Sequence, residues 1–84
     1  MKTFLVNLYI QAGEYEKSAL HLVSASSPEE AEKLAIRDES HNDVLHEEHG
    51  WTYENDYSFA YAANTITEIK DEQEKAVLKK YLYL

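Results

Sequence analysis

The first 25 residues alternate between apolar and polar positions with the two-residue period of a β-strand. The apolar positions on one side of the first segment are Phe4, Val6, Leu8 and Ile10. A second alternating segment covers residues 16–25, and Gly13 between the two supplies a turn residue that adopts positive φ without strain. The pattern therefore predicts an antiparallel β-hairpin that pairs residues 3–11 with residues 16–25.

A helix start follows the hairpin. Ser27 is suited to the N-cap, Pro28 to the first helical position, and Glu30 to the carboxylate of a capping box. The apolar residues at helical spacing, which we expect to face the sheet, are Ala31, Leu34 and Ala35. The helix should end between residues 37 and 39.

The middle of the chain gives a weaker signal. Residues 40–50 contain few apolar side chains, so this segment either continues or restarts the helix, with Gly50 as its stop, or forms a loop. Residues 51–56 read as an extended segment or loop, with a turn at its end.

The last third predicts a strand and a helix. Residues 57–69 are rich in aromatic and β-branched side chains and predict a strand region. Ile66 and Ile69 do not share a parity, so we expect a bulge or a bend near Asn64. Asp71 is placed to cap a final helix, with Glu74 three residues on. Residues 81–84 either end that helix or form a short strand.

These elements predict one small α+β domain over residues 1–84. Its sheet is mainly antiparallel and has three or four strands, made of the N-terminal hairpin and the later strand. One or two helices cover the sheet.

The segment VSASSPEEAEKLA, residues 23–35, resembles a segment found in small phage and mobile-element proteins, some of them anti-CRISPR proteins. In those proteins a hairpin leads into a capped helix that packs across the sheet. The resemblance implies an inhibitor of a host nucleic-acid-binding or defence complex. It carries over no functional residue.

The composition of the chain argues against several kinds of site and partner. The chain lacks cysteine, which excludes disulfides and thiolate metal sites. It also lacks an apolar stretch of about 20 residues for a membrane span. The N-terminal apolar run is interrupted by Asn7 and has no small-residue cleavage site, so we expect a cytoplasmic protein without a membrane partner. The formal net charge of −8 disfavours direct binding to nucleic acid.

The charge is concentrated in the centre of the chain, where no lysine or arginine occurs between Asp38 and Ile69. Carboxylates in this window predict an acidic surface that binds a basic protein, with association steered by the field. The residues of this predicted surface are Asp38, Glu39, Asp43, Glu47, Glu48, Glu54 and Asp56. The favoured function is thus a non-enzymatic, acidic protein-binding module. Acidic segments more often only keep a protein in solution.

Aromatic residues offer an alternative binding surface made of Trp51, Tyr53 and Tyr57, since tryptophan and tyrosine anchor many interfaces. The same side chains are equally suited to packing in the core. In this alternative the chain is a housekeeping interaction domain or a small homodimer.

A metal site is the second alternative. His41, His46 and His49 lie in an acidic segment, and Asp43, His46 and His49 would share one face of a helix. The spacing of the histidines is not that of the H-E-x-x-H motif. The three histidines are equally consistent with ordinary surface residues. We expect no cofactor. Because no nucleophile motif or phosphate-binding glycine loop occurs, we also expect no enzymatic activity.

Overall fold

A computed structural model of the chain describes residues 1–40, 45–54 and 58–82. It is an α+β fold with one antiparallel sheet and two helices. The strands are β1 (Lys2–Ala12), β2 (Tyr15–Ala25), β3 (Leu45–Glu48), β4 (Trp51–Glu54) and β5 (Ala60–Glu68). The helices are α1 (Pro28–Glu39) and α2 (Glu72–Leu82).

The predicted N-terminal hairpin is confirmed, with β1 and β2 in register from Lys2↔Ala25 to Ala12↔Tyr15. Its loop has two central residues, and the first, Gly13, has φ of 64°. That is the position at which a type II′ turn requires glycine, and this turn matches the twist of the strands.

Over the described residues the sheet has the strand order β2-β1-β5-β4-β3, which is five strands and not the three or four expected from the sequence. The additional pair is a second hairpin, β3–β4. His49 and Gly50 form its turn with φ of 53° and 82°, and two consecutive positive φ angles are the pattern of a type I′ turn. The helix considered for residues 40–50 is therefore wrong for residues 45–48. Residues 41–44 lie outside the described part of the chain.

Alternation along the strands gives the sheet two faces. The covered face packs against α1 and carries most of the core. The described core cluster comprises Phe4, Val6, Leu8, Ile10, Ala25, Ala31, Ala35, Ile36 and Tyr61. The open face lies on the other side and carries the alternate residues of each strand.

Helix α1 begins as predicted. The Ser27 Oγ accepts a hydrogen bond from the Glu30 N–H at 3.2 Å, and Pro28 occupies the first turn. The Glu30 carboxylate reaches back to Ser26, accepting from its N–H at 3.2 Å and its hydroxyl at 2.9 Å. The buried residues of α1 are Ala31, Ala35 and Ile36, whereas the predicted Leu34 is half-buried at the margin of the core.

Strand β5 pairs with β1 and contains the predicted bulge. The register runs from Asn7↔Thr65 to Leu8↔Ala63, which leaves Asn64 as the extra residue. The bulge restores Ile66 to the covered face, where it packs against the core.

Helix α2 begins at the predicted cap, since the Asp71 carboxylate accepts hydrogen bonds from the N–H groups of Gln73 and Glu74 at 2.8 and 3.2 Å. The helix continues to Leu82, so the short strand considered for residues 81–84 is wrong for residues 81 and 82. It packs on β2, and none of its residues from 72 to 82 is buried. Neither α1 nor α2, the helices of the described residues, is long and apolar enough to cross a bilayer.

Candidate functional site

The structure separates the residues of the predicted acidic surface. Glu54 points to the covered face and is only 6% exposed, so it cannot belong to an exposed surface. Glu47 and Glu48 are neighbours on β3 and therefore point to opposite faces of the sheet. Asp43 and Asp56 lie outside the described residues.

Asp38 and Glu39 lie at the end of α1, where a histidine of β2 contacts both. The His21 Nε2 is 2.8 Å from the Glu39 carboxylate, and its Nδ1 is 3.7 Å from the Asp38 carboxylate. Lys17 adds a longer contact to Glu39 at 4.0 Å. The Glu39 carboxylate is thus used to hold the end of α1 on β2, and Asp38 keeps most of its side chain in solvent.

Glu54 also has an internal partner. The Tyr61 hydroxyl donates a hydrogen bond of 2.8 Å to its carboxylate, and both side chains are buried. Burial raises the pKa of Tyr61 far above its usual value, and the hydrogen bond to Glu54 and the charges of Glu54 and Glu39 add to this rise. The pair is a structural contact inside the core.

The structure does not support the spacing argument for a metal site. His46 is on β3 and His49 is in the turn, so these residues do not share a helix face. Both rings face the Glu48 carboxylate, at 3.4 and 3.8 Å. Among residues 1–40, 45–54 and 58–82, no three His, Asp or Glu side chains converge as metal ligands. His41 is outside this part of the chain.

The aromatic residues lie together on the open face. Trp51 meets Tyr9 of β1 edge to face, with ring centroids 5.7 Å apart and planes at 70°. Their contact is made over β5, where the partner of Tyr9 is the small Ala62. Tyr53, two residues along β4, shares this face. Tyr57, the third member of the predicted aromatic surface, is outside the described residues.

Carboxylates flank these rings on the two outer strands. Glu16 of β2 accepts a hydrogen bond from the Tyr9 hydroxyl, and this bond, with partial burial and the carboxylate charge, raises the pKa of Tyr9. Glu48 of β3 pairs with Trp51. We call this part of the open face the open patch. Its residues are Tyr9, Glu16, Leu20, Glu48, Trp51 and Tyr53.

Sequence reasoning found only half of the open patch. Tyr9, Glu16 and Leu20 were not among the predicted binding residues, because the hairpin was used only to predict strand pairing. One available signal was the second side of the same alternation, which carries Leu5, Tyr9 and Leu20 as well as polar residues. Leu20, on the same side of β2, is 50% exposed.

Helix α2 lies at the other end of the open face. Lys79 and Lys80 border a surface pocket of about 450 Å³ with Thr3, Leu22 and Ser24, where β1 begins and β2 ends. The open patch lies towards the Gly13 turn at the opposite end of the hairpin. Lys79 and Lys80 therefore lie away from the open patch.

The geometry of the open patch is the basis for assigning a function, because the chain matches no protein-family model, no curated protein and no solved structure.

Proposed function

We propose that this chain is a non-enzymatic protein-binding module, in which the open patch binds a basic segment of a partner protein that also carries apolar side chains. The observation that carries the proposal is the position of Tyr9, Trp51 and Tyr53. These three aromatic side chains share a sheet face that α1 does not cover, and carboxylates flank them on both sides.

Aromatic side chains with fixed orientation favour binding. The edge-to-face contact between Tyr9 and Trp51 holds both rings in place before a partner arrives, so little side-chain entropy remains to be lost. Tryptophan and tyrosine supply large contact areas and dominate the energetics of many interfaces. The half-exposed Leu20 extends the apolar surface across β2.

Charge indicates the chemistry of the partner. The open patch contains Glu16 and Glu48 and no lysine or arginine, and the whole chain carries a formal charge of −8. A basic segment would be attracted by this field and oriented by the two carboxylates. The more specific role implied by the sequence resemblance, inhibition of a host defence complex, remains a prediction.

The proposal is tested by selecting 12-residue peptides from a random display library against the purified chain. We expect the selected peptides to be enriched in lysine and arginine next to aliphatic or aromatic residues. A synthetic peptide of the selected sequence then serves as the defined probe for affinity and association rate.

Three variants locate the binding surface. Trp51→Ala should weaken peptide binding by about 30-fold, as expected for loss of an anchor worth about 2 kcal/mol. Glu48→Lys should mainly slow association, and this difference should shrink with added salt. Glu47→Lys is the matched control, because it makes the same change one residue earlier on the covered face and should leave the rate nearly unaltered.

The proposal is wrong if selection yields acidic peptides, or if Trp51→Ala binds the selected peptide as tightly as the wild type. Sedimentation of the free protein tests the homodimer alternative. Concentration-dependent dimerisation that Trp51→Ala abolishes would assign the open patch to a second copy of this chain instead.

A further inference from the structure

A cleft on the covered face lies beside α1, on the side of the sheet opposite the open patch. Helix α1 packs on β1, β2 and β5, so the β3–β4 hairpin at the sheet edge stands beside the helix and not beneath it. The cleft between them has a volume of about 160 Å³. Its lining residues are Lys33, Ile36, Arg37, Leu45, Glu47 and Thr52.

The floor of this cleft is apolar. Ile36 is 2% exposed and belongs to the core, and Leu45 is half-buried and packs against the same core. A cavity of roughly 150 Å³ lined by aliphatic side chains accepts a molecule of about the size of benzene. The cleft therefore has room for one apolar side chain of a small ligand.

The rim carries both signs of charge. Lys33 and Arg37 are four residues apart on α1 and so lie side by side on its surface. Glu47 projects from β3 on the opposite wall. Among the residues that the structure describes, none of these three charges forms an ion pair. Two cations thus face one carboxylate across an apolar floor.

We propose that this cleft binds a free apolar α-amino acid such as leucine. Its carboxylate would contact Lys33 and Arg37, its ammonium group would contact Glu47, and its side chain would lie on Ile36 and Leu45. A simple anion would leave Glu47 facing like charge, and a simple amine would face two cations. A zwitterion places a carboxylate beside the two cations and an ammonium group beside Glu47, and for this reason we propose an amino acid.

This inference goes beyond the proposed function, since the cleft and the open patch are on different faces and share no residue. Because all three charged side chains are exposed, each contact contributes modestly and the affinity should be in the millimolar range. Such a site suits a metabolite present at high concentration.

The test is a titration of the ¹⁵N-labelled chain with L-leucine, followed by amide chemical shifts. We expect saturable shifts at Ile36, Leu45 and Thr52. Leucinamide lacks the carboxylate and N-acetyl-L-leucine lacks the ammonium group, so each should bind about two- to fivefold more weakly.

Substitutions that remove a single charge test the contacts proposed for Arg37 and Glu47 separately. Arg37→Gln should weaken binding of L-leucine about two- to fivefold. It should not weaken leucinamide binding, because leucinamide has no carboxylate and Arg37 is a like charge to its ammonium group. Glu47→Gln should weaken binding of L-leucine by a similar factor. It should not weaken binding of N-acetyl-L-leucine, because that ligand has no ammonium group and Glu47 is a like charge to its carboxylate. Glu14→Gln, the same change at an exposed carboxylate in the β1–β2 turn, is the control and should have no effect. The amide spectrum of each free variant verifies its fold.

The proposal is overturned if L-leucine causes no saturable shift at the cleft, or if the three ligands bind equally. It is also overturned if Glu47→Gln affects L-leucine and N-acetyl-L-leucine to the same extent, because the ammonium contact would then not exist.

Discussion

At the scale of single residues, the contact between Tyr61 and Glu54 illustrates how a buried carboxylate is tolerated. Glu54 is only 6% exposed, and the Tyr61 hydroxyl supplies a hydrogen bond at 2.8 Å. A buried acceptor that loses its donor bears the full cost of desolvation. The two side chains therefore depend on one another.

Replacement of Tyr61 tests this dependence. Tyr61→Phe removes only the hydroxyl and should lower the free energy of unfolding at neutral pH by roughly 1–3 kcal/mol. Urea denaturation of the variant and the wild type measures the difference. Tyr15→Phe is the control, since Tyr15 is 82% exposed and should tolerate the change. Equal stability of Tyr61→Phe and wild type would contradict a structural role for the bond.

The same pair predicts a dependence on alkaline pH. The pKa of Tyr61 is raised in the folded chain, while an unfolded tyrosine ionises near pH 10. The stabilisation is therefore complete below about pH 10 and is lost as pH rises towards the folded pKa, because only the unfolded state releases the proton. The stability difference between wild type and Tyr61→Phe should narrow above about pH 10.

A second prediction at this scale concerns the buried side of α1. Ile36→Ala should destabilise the fold by roughly 2–5 kcal/mol, because Ile36 is 2% exposed within the core. Leu34→Ala should lower the free energy of unfolding by a smaller amount, since Leu34 is half-buried at the margin of the core. Chemical denaturation of both variants shows which substitution lowers the free energy of unfolding more. A larger loss for Leu34→Ala would mean that α1 is rotated from the described orientation.

Local sequence chemistry explains why some residues could be predicted and others could not. Ser27, Asp71 and Asn64 were predictable because a cap or a parity change is encoded within a few neighbours. Glu54 was not, since its burial depends on Tyr61, which reaches it across the β4–β5 pairing. Half of the open patch was missed for a related reason: Tyr9 and Trp51 meet only after β5 brings β1 and β4 together.

At the scale of elements, the β3–β4 hairpin is one that the alternation of apolar and polar residues does not predict. Each strand has only four residues, and Leu45–Glu48 is mostly polar, so neither gives a clear alternation. Its turn uses His49 at positive φ, where asparagine, aspartate or glycine is the usual signal. The β3–β4 hairpin is stabilised by pairing of β4 with β5, through Thr52↔Tyr61 and Tyr53↔Ala60. The local sequence alone does not determine this hairpin.

The two helices differ in how firmly they are held, which gives the element-scale prediction. Helix α1 buries three residues and α2 buries none, although their lengths of 12 and 11 residues are similar. Amide protons of α2 should therefore exchange through openings of much lower free energy than those of α1. Native-state hydrogen exchange measures both helices in one sample. Equal protection of α1 and α2 would show that α2 is held by more than its described contacts.

At the scale of the whole molecule, the sheet divides the surface into two chemically different sides. The open face presents rings flanked by carboxylates, while the covered face has a cleft between α1 and β3 with charges of both signs. With α1 on the covered face and α2 at one end of the open face, the part of the open face around Tyr9 and Trp51 is left available for a partner. This arrangement lets a chain of 84 residues carry two separate proposed sites.

The position of β1 in the sheet has a consequence for synthesis on the ribosome. β1 pairs with β2, which follows at once, and with β5, which begins only at Ala60. At typical translation rates the second partner emerges some seconds after the first. During that interval the nascent chain exposes a strand edge beside Val6 and Leu8, the kind of surface that neighbouring nascent chains or chaperones bind.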